Sequence, residues 1–524
     1  MRHMKLMGGA TALLMASACA VTPAPFTATE LSSAARDRLA RVAADQEPVT
    51  GPVGLYEAMA RALKYNLDYK VEMMEEALKV QALDVTTFDM LPQLVATGGY
   101  GGRNNFAGAS SRSLLTGTES LEPSTSAERD IFDGDLTLSW DVLDFGLSKV
   151  RAKQTADEVL IAMERRRKVA NRIIEDVRTA YWRAVSAQRL LDRLTTLSGD
   201  VDDAFASSEQ LEQRRVTAPL AALTYQRELV TIKRDIQKLQ RELVIAKAQL
   251  AALMNLTPDI EFSLVMPDRD APPLGVDIEA ETMVLAALEN RAELREVNYQ
   301  ERINLNEIDA ATLSAFPSLK GFVNFNANSN DFLFNSNWLG YGARASWNLL
   351  NVFSLDDRKD VIRAEGALLD TRELALTMAV MTQVHVARAR YAHLAEALET
   401  ARREHDIQTR LIEQIRSGFA AETVSRQTLI REEMNTLATE VRYDVAYADL
   451  QNAYANLYAA IGIDDFGPDV SGREPVAQLT TALETLWTER ATQPLLVADV
   501  ASLSPAPVAA DAPAVPAYDD QPAT

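Results

Sequence analysis

Hydrophobic residues recur with a helical period over long stretches of this chain and with the period of a β-strand over short ones. In 135–142 the alternation is strict, with Leu136, Leu138 and Trp140 on one face and polar residues on the other. Successive strand residues point to opposite faces, so this pattern predicts a sheet with one apolar face. The same alternation predicts two strand pairs, within 93–142 and 318–348.

Long helices are predicted on either side of these strand pairs. Proline is absent and glycine almost absent from Leu147 to about Glu212, which at about 1.5 Å per residue predicts a rod of about 100 Å. Pro219 opens a return helix whose apolar residues follow the alternating four- and three-residue spacing of a coiled-coil seam. The predicted helices are 54–89, 147–212, 219–254, 355–416 and 423–460, with a break at Ser417-Gly418-Phe419.

The chain carries an internal repeat. Residues 62–69 (ALKYNLDY) align with 287–294 (ALENRAEL), and Pro92 aligns with Pro317 at the same offset of 225. Further along, SWDVLDFG (139–146) matches SWNLLNVF (346–353) at an offset of 207. The first copy is therefore longer between its proline and its tryptophan, which predicts a longer first loop.

These patterns divide the chain into six parts. They are a signal segment (1–18), an N-terminal spacer (19–50), a first repeat (51–256), a Pro-rich connector (257–278), a second repeat (279–465) and an Ala/Pro-rich acidic tail that we expect to be largely disordered (466–524).

The N-terminus has the pattern of an export signal. Basic residues precede an apolar run, Leu6 to Met15, which ends in the small residues Ala16-Ser17-Ala18-Cys19. Cys19 is the only cysteine, so an internal disulfide is excluded and a structural zinc site is disfavoured. Its position resembles a bacterial lipobox, although Ala16 stands where such boxes usually carry Leu. We predict lipidation of Cys19; the alternative is an ordinary signal peptide that contains a cysteine.

Composition narrows the functional class. A net charge of −21 argues against nucleic-acid binding, because a phosphate backbone would be repelled. After the first twenty residues no uncharged apolar stretch reaches the length of a membrane-spanning helix. If this chain crosses a membrane, it must do so with strands.

Four strands cannot close a barrel, and an open sheet edge in lipid leaves unpaired backbone groups that cost several kcal/mol each. Strands that span a membrane would therefore require an oligomer, with eight strands in a dimer or twelve in a trimer. The alternative is a soluble α+β protein with hairpins and an ordinary coiled coil. The export signal, the duplication and the length of the rods favour the oligomeric tube.

The succession of signal, helix, proline-led strand pair, SW-containing strand end, long helix, tip and return helix, repeated twice, resembles the TolC-type outer membrane efflux proteins. The resemblance covers about residues 50–465. It implies a long α-helical coiled-coil barrel continuous with a transmembrane β-barrel shared between protomers, four strands per chain. It also implies a homotrimer in outer-membrane lipid, a periplasmic adaptor, and an inner-membrane pump or ABC exporter. Cys19 suggests the lipoprotein branch of that family.

Several residues acquire candidate roles from the strand pattern and from this resemblance. The expected membrane-facing aromatics are Trp140, Phe325, Tyr341 and Trp347. In the family the helix tips form the periplasmic aperture and touch the adaptor, and the matching residues are Val216, Thr217, Ala218, Pro219, Gly418, Phe419, Ala420 and Ala421. The first tip lacks the usual glycine, and the second lacks the usual aspartates. Glu422 is the nearest acid; it either contributes to an acidic aperture ring or stabilises the start of the next helix.

No catalytic pattern emerges from the chain. Its four histidines form no HExxH or Cys/His motif, and the GGYGG segment at 98–102 lacks the following helix that a phosphate-binding loop requires. We expect no enzymatic activity, no cofactor and no metal. The predicted function is a passive exit duct for a tripartite efflux or type I secretion system. The alternative is a lipid-anchored periplasmic scaffold or adaptor without its own pore.

Overall fold

The computed structural model describes residues 24–42, 44, 46–120, 122–214, 219–257, 260–266, 279–463, 466–467 and 470–492. The predicted signal segment, Cys19 and most of the Pro-rich connector lie outside these residues. The helices are α1 (Ala28–Val42), α2 (Leu55–Tyr65), α3 (Leu67–Phe88), α4 (Val142–Gln213), α5 (Pro219–Leu253), α6 (Ala280–Asn290), α7 (Ala292–Leu313), α8 (Leu349–Phe353), α9 (Leu355–Ala420), α10 (Arg426–Ile461) and α11 (Val476–Thr492). The strands are β1 (Gln93–Gly102), β2 (Asp130–Asp141), β3 (Ser318–Asn328) and β4 (Asn337–Ser346).

The four strands form one antiparallel sheet in the order β1-β2-β3-β4. Two hairpins, one from each repeat, are joined by the pairing of β2 with β3, in which Leu138 lies opposite Val323. The loop of the first hairpin is much longer than that of the second. Asn330 in the short loop is nearly buried and links the two, because it accepts from the Glu128 N–H (3.1 Å) and donates to the Ser126 carbonyl (3.1 Å).

Strand β2 runs directly into the longest helix. Asp141 is the last residue of β2 and the N-cap of α4, and its carboxylate accepts from the backbone N–H groups of Leu143 (2.9 Å) and Asp144 (3.4 Å). A carboxylate at this position satisfies helix N–H groups that have no partner within the helix. Asn348, the matching residue of the second repeat, caps the short helix α8 in the same way. Each repeat therefore turns from strand to helix on a capping side chain.

The single helix predicted over 54–89 is two helices, which corrects that prediction. The chain leaves the helical conformation at Asn66, whose side-chain oxygen caps α3 by accepting from the Asp68 and Tyr69 N–H groups. The second repeat breaks at the matching residue, Arg291, between α6 and α7. The bounds of α2 and α3 and of α6 and α7 differ by the same offset of 225, so the internal two-fold repeat is confirmed.

The long helices lie side by side in the same order as the strands they join. Next to the sheet the order is α3-α4-α7-α9, and further away α5 and α10 complete a second row, α5-α4-α10-α9. With 72 residues at about 1.5 Å each, α4 is about 110 Å long and runs through both rows. None of the helices in the described part of the chain is long and apolar enough to cross a membrane.

The main hydrophobic core lies where the helices of both repeats meet at the middle of α4. It includes Met59, Tyr181, Leu250, Met283 and Leu483, all at most 1 % exposed. This cluster brings together α2 and α6, which are repeat mates, with the middle of α4, the end of α10 and the C-terminal helix α11. The core therefore ties the two repeats together at one level of the long helices.

Helix α11 is a helical part of the segment 466–524, for which the sequence predicts a largely disordered tail. Leu479 and Leu483 are fully buried and Trp487 is 7 % exposed, so one face of the helix packs into the core against α2. These residues are spaced by four, which is the period of a helix face. The Ala/Pro-rich composition of the whole tail obscured this short pattern. The tail beyond Thr492 lies outside the described residues.

A buried ion pair joins the second return helix, α10, to α4. Asp444 is 1 % exposed, and its carboxylate accepts from Ser186 Oγ (2.7 Å) and from an Arg189 guanidinium nitrogen (2.7 Å) on α4. Removal of one member of a buried pair leaves the other charge without compensation. The Asp444 carboxylate therefore fixes how α10 sits against α4.

We predict that Asp444→Ala lowers the free energy of unfolding by about 3–5 kcal/mol, because Arg189 loses its partner. Asp444→Asn, which can still accept from Ser186, should cost less. The matched control is Asp360→Ala, which removes an exposed carboxylate on α9 paired only with Arg363 and should cost less than about 1 kcal/mol. Guanidinium unfolding followed by far-ultraviolet circular dichroism measures all three; equal losses for Asp444→Ala and the control would refute the assignment.

Candidate functional site

One face of the sheet is apolar across all four strands. The pairing brings Leu94, Leu138, Val323 and Tyr341 into one row and Ala96, Leu136, Phe325 and Leu339 into the next. The larger of these side chains are between 45 % and 85 % exposed, so nothing in the described part of the chain covers this face. An exposed apolar surface of this extent marks a contact with lipid or with another protein.

The opposite face of the sheet is polar and carries many small residues. Thr97, Asp135 and Asn326 follow one another across the strands, and Lys320 lies opposite Arg344 near the helical end of the sheet. Phe322 packs over Gly342, where an added Cβ would lie 2.9 Å from the ring. The sheet therefore separates an apolar side from a polar side, as a wall between lipid and water would.

The four aromatic residues expected to face the membrane are in two settings. Trp140, Phe325 and Tyr341 lie on the apolar face, where Trp140 also makes an edge-to-face contact with Phe145, 5.6 Å between ring centroids. Trp347 lies just beyond β4 and donates its indole N–H to the Ala315 carbonyl (2.9 Å). The sequence pattern did not identify Trp338, which lies on the polar face opposite Asn326.

The two flanks of the protomer have open strand edges and exposed apolar side chains. Within the described residues β1 pairs only with β2 and β4 only with β3, so both outer strands have an open edge. Most of the exposed large apolar side chains of the long helices lie on the helices at the ends of the two rows. They include Val71, Met74, Leu78 and Val85 on α3, Leu220, Val230 and Val244 on α5, and Val361, Leu368, Leu374, Met378 and Val386 on α9.

The central helices contrast with these end helices, because α4, α7 and α10 expose few large apolar residues. One flank consists of β1, α3 and α5, and the other consists of β4 and α9. These flanks are different surfaces, so any contact between them is heterologous, and a heterologous contact closes into a ring when its rotation allows.

The second helix tip differs from the predicted break at 417–419. Helix α9 continues through Gly418 and Phe419 to Ala420, with Ala421 as its C-cap. Glu422 then adopts a left-handed conformation (φ 58°), and the Thr423 N–H donates to the Gly418 carbonyl (2.9 Å). The Glu422 N–H donates to the Phe419 carbonyl (3.0 Å), which completes a Schellman motif.

Glu422 is thus part of the end of α9, and the alternative in which it stabilises the start of the next helix is not supported. Ser425 caps α10 instead, because its hydroxyl accepts from the Thr428 N–H (3.1 Å). Gly418 is required by a close approach, since a Cβ there would lie 2.7 Å from Val424 Cγ2. Glycine at this position makes room for Val424 in the tight turn, and it does not end the helix.

The first tip is described only in part. Arg214 is the C-cap of α4, and Pro219 is the first residue of α5, a position where its missing N–H costs nothing. Val216, Thr217 and Ala218 lie outside the described residues. Among the described residues, no group of three or more His, Cys, Asp and Glu side chains could hold a metal ion.

Comparison with known proteins identifies the fold. No family model matches the chain, and no curated protein sequence matches it. Among solved structures, the CmeC outer membrane channel of Campylobacter jejuni is similar with a TM-score of 0.60 and 12 % identity, over 89 % of this chain and 98 % of that one. CusC gives a TM-score of 0.59 and 19 % identity over 80 % of this chain and 96 % of that one.

The MtrE outer membrane channel of Neisseria gonorrhoeae, in its open state, gives a TM-score of 0.57 and 15 % identity, over 78 % of this chain and 88 % of that one. At this level of identity the likeness concerns the fold, and it extends over nearly the full length of these channels. The one-face-apolar sheet and the paired rows of long helices agree with it. The chain has the fold of the TolC-type outer membrane efflux proteins.

Proposed function

We propose that three copies of this chain form an outer-membrane channel that serves as the passive exit duct of a tripartite efflux or type I secretion system. The observation that carries this proposal is the open four-stranded sheet, apolar on one face and polar on the other, which continues through Asp141 into α4. Backbone groups at a sheet edge must be paired if the sheet lies in lipid. A ring of protomers pairs them, and three protomers give a twelve-stranded barrel.

The internal repeat supplies a template for the contact between protomers. Within the chain, the second strand of one repeat (β2) pairs with the first strand of the next (β3), and α4 packs on α7 and α10. In the other repeat, β4 corresponds to β2, β1 to β3, α9 to α4, α3 to α7 and α5 to α10. The corresponding contacts would therefore join β4 to β1, and α9 to α3 and α5, which are the elements of the two open flanks. Contact between neighbouring protomers would therefore repeat the contact inside each protomer, and three chains would form a wall of six similar units.

This template fixes a register. Leu138 lies opposite Val323 within the chain. The offset of 207 relates Leu138 to Ala345, and the offset of 225 relates Val323 to Gly98. Ala345 of one protomer should therefore lie opposite Gly98 of the next. Both residues belong to the apolar face. A shift of one residue would move a side chain to the other face of the sheet.

The remaining parts of the proposal rest on the fold and on the chain's own segments. The long helices would extend the duct into the periplasm, and the two tips would meet a periplasmic adaptor that connects to an inner-membrane pump or ABC exporter. Cys19 would carry a lipid that anchors the N-terminus in the outer membrane. A lipid-anchored scaffold without a pore is less well supported, because it would not need a sheet with one face exposed and apolar.

We predict that cysteines at Ala345 and Gly98 cross-link protomers, in a protein whose native Cys19 is replaced by Ser. Paired residues of neighbouring antiparallel strands lie about 4.5–5.5 Å apart at Cα, within the range of a disulfide. Oxidation should give covalent dimers and trimers on a denaturing gel. The matched control pairs Ala345 with Gly99, which belongs to the other face and should cross-link poorly; equal cross-linking of both pairs, or of neither, would contradict the shared sheet.

We also predict that the purified protein in detergent is a trimer that gives stable single-channel conductance in a planar bilayer. If Glu422 forms an acidic ring at the aperture, the channel should prefer cations, and Glu422→Gln should lower the ratio of cation to anion permeability towards one. Glu433→Gln is the control, since Glu433 is already paired with Arg416 (3.3 Å) away from the turn. A monomer without conductance would overturn the duct; an unchanged permeability ratio would remove only the ring.

Lipidation has its own test. Cys19→Ser should abolish incorporation of labelled palmitate into the protein, because the chain has no other cysteine to modify. Ser17→Ala, two residues earlier, is the control and should leave labelling intact. Palmitate incorporation that persists in Cys19→Ser would show that Cys19 is not the acylated residue.

A further inference from the structure

The inner seam, where α4 of the first repeat packs on α7 of the second, is bridged by polar side chains. Asp157 of α4 is 4 % exposed, and its carboxylate accepts from the Arg302 guanidinium of α7 (2.9 Å). Gln154 of α4 donates to the Ile303 carbonyl (3.2 Å) and to the Glu307 carboxylate (2.9 Å) of α7. Polar groups of both helices therefore hold the two repeats together inside the protomer.

The offset of 207 holds along the whole length of the long helices. The last residues of α4 and α9 differ by 207, and so do the first residues of α5 and α10. Each return helix is followed by a residue with positive φ at the same offset, Asn255 (φ 56°) and Gly462 (φ 81°). A residue of α4 and the residue 207 positions later on α9 therefore occupy equivalent places in the two repeats.

One contact tests this correspondence inside the chain. A guanidinium nitrogen of Arg166 on α4 lies 3.1 Å from the carboxylate of Glu76 on α3. The repeat mates of these residues are Glu373 on α9 and Glu301 on α7, and they also interact. Burial, followed by the charges of Glu373 and Asp370, raises the pKa of the Glu301 carboxyl. The offsets therefore predict which positions meet, even where the residues have changed.

The buried ion pair of the inner seam corresponds to two alanines on the flanks. Asp157 corresponds to Ala364 on α9, and Arg302 corresponds to Ala77 on α3. Helices α3 and α9 lie at opposite ends of the row α3-α4-α7-α9, and both alanines are exposed. These alanines would meet between two protomers. Because the distance between packed helices depends on the side chains at the contact, two alanines allow a close approach.

A second polar contact of the inner seam corresponds to two large apolar residues. Gln154 corresponds to Val361 on α9, and Ile303, whose carbonyl it bonds, corresponds to Leu78 on α3. Both flank residues are exposed in the protomer. Their contact would therefore bury apolar surface where the inner seam has a hydrogen bond.

Two phenylalanines correspond to a contact at the sheet end of the inner seam. A Cβ on Gly146 would lie 3.7 Å from Leu313 Cδ1, so these residues are adjacent. Their repeat mates are Phe353 and Phe88, which are 81 % and 69 % exposed. Two exposed aromatic rings at equivalent positions would pack on each other if α9 met α3 of a second copy.

Another ion pair of the inner seam has no charged counterpart pair on the flanks. Arg165 of α4 lies 2.7 Å from Glu296 of α7. Their repeat mates are Arg372 on α9 and Val71 on α3, so the carboxylate is lost. The hydrocarbon stem of an arginine covers apolar surface while its charge stays in water. Arg372 can therefore lie along Val71 without an ion pair.

We infer that α9 of one protomer packs on α3 of a second copy through an outer seam without ion pairs, with Ala364 against Ala77 and Phe353 against Phe88. This seam presupposes the ring of protomers proposed above and specifies the chemistry of its helical contact. The wall would then alternate between polar seams inside protomers and apolar seams between them. A second copy is the occupant because the same offsets that relate contacts inside the chain assign each flank residue its partner.

Moving the inner ion pair to the outer seam tests this inference in the full-length protein in detergent. Ala364→Asp alone puts a carboxylate without a partner into the seam, and Ala77→Arg alone does the same with a guanidinium. Each should raise the concentration at which the trimer dissociates by at least about tenfold, as measured by sedimentation. Both changes together recreate the pair of Asp157 with Arg302 and should recover most of that loss.

A matched control and a second readout accompany this test. Ala77 and Ala364 are exposed in the protomer, so neither change should alter the far-ultraviolet circular dichroism. Ala477→Asp is the control, because Ala477 is an exposed residue in the first turn of α11, outside both flanks, and the trimer should be unaffected. High salt should leave the unmodified trimer intact and weaken that of the double variant, because salt screens charges and not apolar contacts.

The outcomes separate the outer seam from the ring itself. An unmodified protein that is monomeric in detergent would overturn both. A trimer that neither single change weakens, or that the double variant weakens as much as the single changes do, would overturn the outer seam. In that case, cross-linking of Ala345 to Gly98 across the sheet would still support the ring.

Discussion

The structure depends on one constraint: the sheet has an apolar face and two open edges, and no other described residues of the chain cover that face or pair with those edges. Each outer strand leaves a row of backbone N–H and C=O groups without partners among the described residues. The long helices on the same flanks as these outer strands, α3 and α9, expose several large apolar residues, such as Met74 and Leu368. The unpaired strand edges and the exposed apolar flanks therefore both support the ring of protomers proposed above, in which each flank would meet a surface whose repeat mate packs in the same way inside the chain.

The strands and the helices form one continuous wall because the junctions are capped. Asp141 ends β2 and starts α4 at the same residue, so no flexible linker separates sheet from helix. Asn348 performs the same role for the second repeat through the short helix α8. The break at Asn66 and at Arg291 then lets α2 and α6 turn away from the wall and build the core. Both repeats thus have the strand-to-helix junction and the helix break at corresponding positions, although the residues at these positions differ.

The sequence predicted features that depend on a regular period and missed those that depend on a single contact. Strand alternation and repeat offsets indicated the hairpins and the fold class, which the structure and its similarity to solved channels confirm. The break at Asn66 was missed because the apolar stripe continues across it, whereas the side-chain cap is visible only in three dimensions. Gly418 was interpreted as a helix break, but its role is the close contact with Val424. The role of Asp444 was also missed, because it depends on contacts with Ser186 and Arg189 of a distant helix.

The two repeats differ most where the wall ends, and these differences have physical causes. At the sheet end the first hairpin carries the longer loop, and Asn330 of the short loop bonds to it, so the second hairpin supports the first. At the other end, α9 closes on a Schellman motif with Glu422 in a left-handed conformation, whereas α5 begins at Pro219. A strict six-fold wall would require identical tips. With two kinds of tip alternating around the ring, the periplasmic end of the proposed duct has only three-fold symmetry, so a partner can distinguish one tip from the other.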